Sequence, residues 1–320
     1  MKISVVIPTY NSAAVIRLTL DSVLCQTVKP QEILVLDDGS SDDTVGILKS
    51  YAPRVTVIEQ ANRGVAAARN ELSRRATGDL VAFLDHDDLW HPRYLEVQSG
   101  QFAKHPQAAA FFTRHDNFNG YGDYAWSDEG WDRGSETEVI EPVNFMERYN
   151  RSTGTFYSMS FCCVPKAVLA GLGEPPFYEA VSGVDDCYLC NLLPLAGPVV
   201  FTPSQLVAYR VTGGAQSVNQ LKNFKLVVDA FQRLEPRYQT VADARLRRAF
   251  QIEFAGKRRR FGKTLMGAGR VNEARAQFWQ ALRQAGQPAS AVKSFSLGCL
   301  SHLPKFLQPR WPASQRGSQQ

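Results

Sequence analysis

The chain has 320 residues, 44% of them hydrophobic and 21% charged, with 23 Gly and 17 Pro; this balance excludes collagen-like, low-complexity and wholly disordered chains. The net charge of +5 is split unevenly, with 17 Lys+Arg against 26 Asp+Glu in residues 1–220 and 19 against 5 in residues 221–320, so an acidic module precedes a basic one suited to an anionic partner. Six Cys are too few for a disulfide scaffold, no window reaches the ~18 apolar residues of a membrane span, and the start lacks a signal-peptide pattern; the expected setting is a reducing cytoplasm.

Ile3 to Ile7 is a β-branched run bounded by Pro8 and reads as a buried strand. Residues 13–27 follow helical spacing. Glu32 to Leu36 is a second strand, ending in Asp37-Asp38-Gly39-Ser40-Ser41-Asp42-Asp43, whose Ser and Asp suit the start of a helix from Thr44 to Tyr51. Val55 to Ile58 is a third strand, Gly64 to Arg75 an Ala-rich helix, and Leu80 to Leu84 a fourth strand running into Asp85-His86-Asp87-Asp88. Strands spaced by helices predict an α/β fold with a mainly parallel sheet, whose ligands sit beyond the carboxyl ends of the strands. Phe118 to Trp126, followed by Trp131, reads as an aromatic loop over that crevice, serving either to stack on a sugar or to cover a small apolar cluster. Beyond residue 215 the spacing is helical: Leu221 to Phe231 closed by Pro236, then Leu246 to Phe254, then Ala274 to Leu282 ended by Gly286 and Pro288. From about Pro304 the chain lacks apolar content and reads as a frayed tail.

Three carboxylates in the four residues 85–88 repel one another, and a hard divalent cation relieves that repulsion. In an extended segment Asp85 and Asp87 would point the same way; the bland alternative is a solvated acidic turn. An acid at Asp38, at the end of the second strand, suits a ribose or a base N–H. Dinucleotide binding is excluded because Pro8-Thr9-Tyr10-Asn11-Ser12 offers no Gly after the first strand. A phosphate loop at Gly262-Lys263-Thr264 is excluded by the spacing to Gly256 and the bulky Lys257 to Arg260 between. Cys187 and Cys190 form a single C-x-x-C on a predicted helix, which reads as packing rather than zinc binding.

Four ordered segments, Ser4 to Asn11, Asp37 to Ser40, Asn62 to Asn70 and Asp85 to Asp88, together resemble family 2 glycosyltransferases of the inverting GT-A type. The resemblance is close over residues 1–100 and thinner to about 217. It implies a GT-A domain over 1–217 (nucleotide-sugar half 1–100, acceptor half 101–217), which the spacing, charge and composition above extend with a basic helical part over 218–303 and a tail over 304–320. It further implies a nucleotide-sugar donor, with a UDP-sugar favoured, a glycan or lipid-linked acceptor, and Mn²⁺ or Mg²⁺. Carried over by position, Thr9, Asp38 and Arg69 bind the nucleoside, Pro8 and Tyr10 belong to the substrate-binding set, Asp85 lies near the ribose, and Asp87 holds the metal. Asp185-Asp186 matches the family's acidic pair ahead of a helix, with Asp186 as base and Asp185, where Glu is usual, as its acceptor-side neighbour. The chain departs from the family at Thr212, where a His after Tyr-Arg is common; Arg210 is then expected to hold the diphosphate, or Gly213-Gly214 to close over it. The rival classes are a nucleotide-sugar binder without catalysis and a nucleotidyltransferase, the latter lacking its Gly-rich basic loop here. The basic residues Arg245, Arg247, Arg248, Lys257 to Arg260 and Lys263, with an amphipathic run from Val292 to Leu303, suit either an anionic inner-membrane surface or a solvated bundle. Nucleic acid is not expected, for want of a recognised module.

Overall fold

The computed structural model describes residues 1–126, 136–151, 158–211 and 220–285. Trp131, Thr212 to Gly214, the helix stop at Gly286 and Pro288, and the run from Val292 onward lie outside them.

The first hundred residues alternate as expected: β1 (Ile3–Thr9), α1 (Ile16–Leu24), β2 (Glu32–Asp37), α2 (Thr44–Lys49), β3 (Thr56–Glu59), α3 (Val65–Arg75) and β4 (Leu80–Phe83). Every residue of β1 is buried, because helices cover both faces of the strand and leave no polar side for alternation. β1 pairs in parallel with β2 and with β4, and β2 with β3. The resulting order β3-β2-β1-β4 changes direction beside β1, which opens a crevice beyond the carboxyl ends of β1 and β4. Thr9 lies opposite Asp37 in the register, and the Leu84 N–H continues the ladder onto the Val6 carbonyl at 3.1 Å. Thr9, Asp38 and Asp85 are thereby brought to one edge.

The rest of the sheet is mixed rather than mainly parallel. After β5 (Leu89–Trp90), α4 (Tyr94–Lys104), β6 (Ala110–Asn119), β7 (Glu138–Ile140) and α5 (Pro142–Arg151), the chain returns as β8 (Cys162–Pro165) and runs antiparallel beside β4. α6 (Lys166–Gly171) and α7 (Asp185–Leu192) lead to the long β9 (Val199–Val211), parallel to β6 and antiparallel to β5 and β7. The excursion through α4, β6 and α5 brings β8 in from the opposite end, so parallel pairing with β4 is lost. Phe118 and Asn119 belong to β6, and the aromatic loop therefore begins only at Gly120.

The C-terminal part is α8 (Gln220–Gln239), α9 (Ala244–Gly267) and α10 (Val271–Ala285). α8 does not stop at Pro236 but runs one turn past it. Proline leaves the Gln232 carbonyl without a helical donor, yet the last turn is held by packing: the Tyr238 ring stacks on Phe250 at 4.0 Å between centroids, and its hydroxyl donates to the Asn191 carbonyl at 2.6 Å. Gly262 is a packing position, since a Cβ there would stand 2.8 Å from the Phe278 ring. No helix among the described residues is long and apolar enough to cross a membrane.

The basic run on α9 is divided by the fold. Arg258 is buried, stacks on Phe254 at 4.3 Å and donates to Gln277, Gln280 and Gln284. Lys257 is half-buried, while Arg245, Arg248, Arg260 and Lys263 are exposed. The eight cations therefore do not form one outward face.

Candidate active site

β1 ends in Pro8 and Thr9, both buried, while the next residue, Tyr10, is 46% exposed at the crevice rim. The Thr9 and Ser12 hydroxyls are hydrogen-bonded to each other. Asn11 ties this turn to the next strand end: its N–H donates to Ser40 Oγ at 2.8 Å, and its Oδ1 accepts the Ser41 N–H at 2.8 Å.

Asp37 folds back on its own turn, accepting the Gly39 and Ser40 N–H groups at 3.1 and 2.9 Å. Asp38 is buried and reaches forward to the segment before α3. Its Oδ1 accepts Gln60 Nε2 at 2.7 Å and the Arg63 N–H at 2.9 Å, and its Oδ2 accepts the Gly64 N–H at 2.8 Å. A carboxylate has about four lone-pair sites, so three are committed to holding this loop. Gly64 needs its positive φ of 89°, and a Cβ there would stand 2.8 Å from Ser182 Oγ; the loop thus passes directly over the segment leading into α7.

Arg69 projects from α3 and is 6% exposed. One guanidinium nitrogen donates to Asp85 Oδ1 at 2.5 Å and the other to Asp185 Oδ2 at 2.6 Å. Burial opposes its charge, but Asp85, Asp185 and Asp186 outweigh burial and raise its pKa above the ordinary arginine value. The side chain therefore stays cationic and joins the end of β4 to the start of α7, two places 100 residues apart in sequence.

The segment after β4 is a turn rather than an extended run, with the Asp88 N–H on the Asp85 carbonyl at 3.2 Å. Alternation therefore does not align Asp85 with Asp87. Asp85 accepts Ser158 Oγ at 3.2 Å in addition to Arg69, and its N–H donates to Ser160 Oγ at 2.9 Å. Asp87 is half-buried; burial first, and then repulsion from Asp85, raises its pKa against the pull of His86 and Arg210. Asp88 is fully buried, is pushed well above the carboxylate range by burial and by Asp87 and Asp85, and accepts the Arg210 N–H at 2.9 Å.

Arg210 sits inside this scaffold, 2% exposed. Its Nε donates to the Asp87 carbonyl at 2.7 Å, Nη1 donates to the carbonyls of Gly120 and Gly122, and the guanidinium lies over Phe118 at 4.3 Å. Its contacts are thus with backbone that shapes the Asp87 turn. Of the aromatic loop, Tyr124 and Trp126 pack edge-on at 4.7 Å, and Tyr124 donates to Asp116 at 2.6 Å; Tyr121 alone of the three stands open, 66% exposed.

α7 opens with the second acidic pair. Asp185 is 1% exposed and accepts the Gly183 N–H at 3.0 Å as well as Arg69. Asp186 is half-buried, accepts the Cys187 N–H at 2.7 Å, and among the described residues receives no side-chain donor. Burial and the adjacent Asp185 push its pKa up to about 7, against the pull of Arg69. A carboxylate so poised accepts a proton at neutral pH. Cys187 and Cys190 on the same helix are buried thiols that burial pushes above their usual range.

The site thus unites Arg69, Asp85, Asp185 and Asp186, places Asp87 beside them, and sets Thr9, Tyr10 and Asp38 along the neighbouring edge. Ser158 and Ser160, which fix Asp85, carry no sequence signal: they are ordinary serines more than 70 residues from the acid they serve. Among the described residues no three His, Cys, Asp or Glu side chains converge as a ready metal cage. What the turn offers instead is one carboxylate, Asp87, whose proton affinity is raised by burial, a donor that suits Mg²⁺ or Mn²⁺ when diphosphate oxygens complete the shell.

The family model described as glycosyl transferase family 2 matches residues 4–168. Over 99 residues the chain is 43% identical to the uncharacterized glycosyltransferase YibD of Escherichia coli, a match covering 30% of this chain and 29% of that protein. Over 132 residues it is 35% identical to an Escherichia coli chondroitin synthase, covering 40% and 19% of the two. The matched stretch thus spans less than a third of these curated relatives. Among solved structures, S. aureus TarS shares the fold with a TM-score of 0.71 at 18% identity, covering 94% of this chain and 54% of that one. A shorter TarS chain in complex with UDP-GlcNAc gives 0.68, covering 94% and 86%. With the strand-end acids, their shared arginine and the matching family model in agreement, this chain belongs to glycosyltransferase family 2 and carries its site on a GT-A fold.

Proposed function

We propose that the protein transfers a sugar from a UDP-sugar to a hydroxyl of a glycan or lipid-linked acceptor, with inversion at the anomeric carbon, in polysaccharide synthesis. The observation that carries this reading is the division of labour around Arg69. One cation faces three carboxylates; it grips Asp85 and Asp185 and leaves Asp186 with a pKa of about 7. Asp186 takes the acceptor hydroxyl proton as the oxygen attacks the anomeric carbon, and the C–O bond to the nucleoside diphosphate breaks on the opposite face of the sugar. Thr9, Tyr10 and Asp38 border the nucleoside side, where Asp38 acts chiefly by fixing the loop of residues 60–64. UDP is favoured because TarS, which shares the fold, is known in complex with UDP and with UDP-GlcNAc. Asp87 is the residue to hold Mn²⁺ or Mg²⁺. When bound, such an ion supplies Lewis-acid stabilisation of the charge growing on the diphosphate. Arg210 supports that role from behind, by fixing the Asp87 carbonyl. Free thiols at the five described cysteines suit a reducing cytoplasm.

The test is UDP release from UDP-GlcNAc and other UDP-sugars, with and without saccharide acceptors, in wild type and Asp186→Asn. Acceptor-stimulated release lost in the variant, with UDP affinity retained, supports transfer. Equal, acceptor-independent behaviour of the two proteins would leave a binder without catalysis.

A further inference from the structure

The basic extension touches the acceptor side of the site. Glu253, Lys257 and Arg260 follow one another at i, i+4 and i+7 along α9 and so share a side of the helix. That side meets the end of α5: Arg151 Nε donates to Glu253 at 3.1 Å, and Lys257 Nζ donates to the Asn150 carbonyl at 3.3 Å. Asn150 in turn donates to Asn191 Oδ1 of α7 at 2.9 Å. Lys257 lies close enough to Cys187, the residue after Asp186, to lower the pKa that burial has raised on that thiol. Arg259 completes the group. It is half-buried and bends back over Gly256, where its nitrogen would be 3.8 Å from a Cβ, and its Nη1 is buried without a partner among the described residues.

Glu253 is ion-paired with Arg151 and within electrostatic reach of Lys257 and Arg259, Arg260 lies next to both of these cations, and the second acid, Glu147, pairs with Arg151 at 3.3 Å. Burial pulls both Lys257 and Arg259 below their ordinary pKa values. Lys257, Arg259 and Arg151 all draw on the one carboxylate of Glu253, so partly desolvated cations outnumber the acids beside them, and an anion arriving from outside offsets that excess. Arg258, by contrast, is satisfied by three glutamines and takes no part.

We propose that Arg151, Lys257, Arg259 and Arg260 receive the carboxylate or phosphate groups of an anionic glycan acceptor whose reacting hydroxyl is presented to Asp186. The proposal rests on the assignment of Asp186 as base. It gives the charge excess of the extension a function within the reaction, and it makes the acceptor a charged polymer rather than a neutral sugar.

Calorimetry on the full chain tests it with three probes: a uronic-acid-containing hexasaccharide, the same hexasaccharide after carboxyl reduction, and a glycerol phosphate oligomer. The charged probes are expected to bind at least about 10-fold tighter than the reduced one, with salt weakening only the former. Whichever charged probe binds tighter identifies the carboxylate or the phosphate as the recognised group. Arg259→Gln with Arg260→Gln is expected to cost about 10-fold. Arg245→Gln with Arg248→Gln removes the same charge from exposed positions earlier on the helix and is expected to cost less than about 2-fold. Equal binding of charged and reduced hexasaccharide overturns the proposal, as does an equal loss in the two double variants. Binding to phosphatidylglycerol vesicles without binding to either charged probe also overturns it, in favour of a membrane surface. UDP-GlcNAc affinity, measured alongside, is expected to be the same in all three proteins, and its absence in wild type would count against the donor site rather than against the acceptor face.

Discussion

The end of β4 presents three acids and the start of α7 two, and in both places Arg69 holds the first and leaves the next. Asp85 and Asp185 share the same guanidinium; Asp87 and Asp186 are both raised above the ordinary aspartate value. The backbone makes the difference between them. Asp87 sits in a turn among Asp85 and Asp88, with its carbonyl tied down by Arg210, so it faces neighbouring negative charge that the proposed divalent ion would offset. Asp186 opens a helix, where consecutive side chains diverge by about 100°, so Arg69 reaches Asp185 and cannot grip its neighbour. Asp186 keeps two acids, Asp185 and Asp85, and the cation Arg69 near it, and its value of about 7 suits it to a proton.

The largest effect that would break this comparison is on turnover. Asp186→Asn is expected to lower kcat by about 10²–10⁴ while UDP binding stays within about 2-fold. The wild-type kcat/KM is expected to fall off below a pH of about 7, where the base becomes protonated. A variant retaining full activity would return Asp186 to the role of an ordinary helix-start acid.

Removing the shared partner acts on both places at once. Arg69→Met strands Asp85 and the 1%-exposed Asp185, and losing one member of a buried pair costs about 3–5 kcal/mol. Denaturant unfolding checks it; a loss under about 1 kcal/mol would show that the two acids do not depend on Arg69. A smaller change comes from Asp87→Asn, expected to weaken UDP binding in Mn²⁺ by about 10–100-fold and to leave metal-free UDP binding nearly unchanged. Equal losses with and without Mn²⁺ would remove the metal role from Asp87.

Much of this half of the molecule was legible in advance. Runs such as Ile3 to Ile7 and Leu80 to Leu84 are too apolar to be anything but doubly covered strands, and the acids that follow them stand at the crevice for topological reasons. What escaped depends on tertiary partners. Nothing around Tyr209 and Arg210 in the chain announces that Arg210 lies over Phe118 and donates to the carbonyls of Asp87, Gly120 and Gly122. Pro236 reads like a stop, but the Tyr238 ring and hydroxyl outweigh one lost hydrogen bond. A count of cations over residues 245–263 does not say that Arg258 turns in to three glutamines while Arg260 turns out. The Asp85–Asp87 alignment failed for a local reason: the Asp88 N–H closes a turn that the expected extended segment would have left open.

The smallest effect discriminates most finely between the two acid pairs. The ordinary value for the Asp186 carboxyl is 3.8, and in the fold it rises to about 7. Between those limits the native protein holds a proton that the unfolded chain has released, so wild-type stability falls as pH rises through the window. Asp186→Asn carries no such proton and has no such slope. Discounted for the solvent that reaches this half-buried group, the variant should gain about 1–2 kcal/mol over wild type at pH 8, and the gain should vanish near pH 4. Urea unfolding of both proteins across that range reads the difference directly. A gain independent of pH would mean that Asp186 titrates normally, and the proposed contrast between a proton-accepting acid and a metal-holding one would then lose its physical basis.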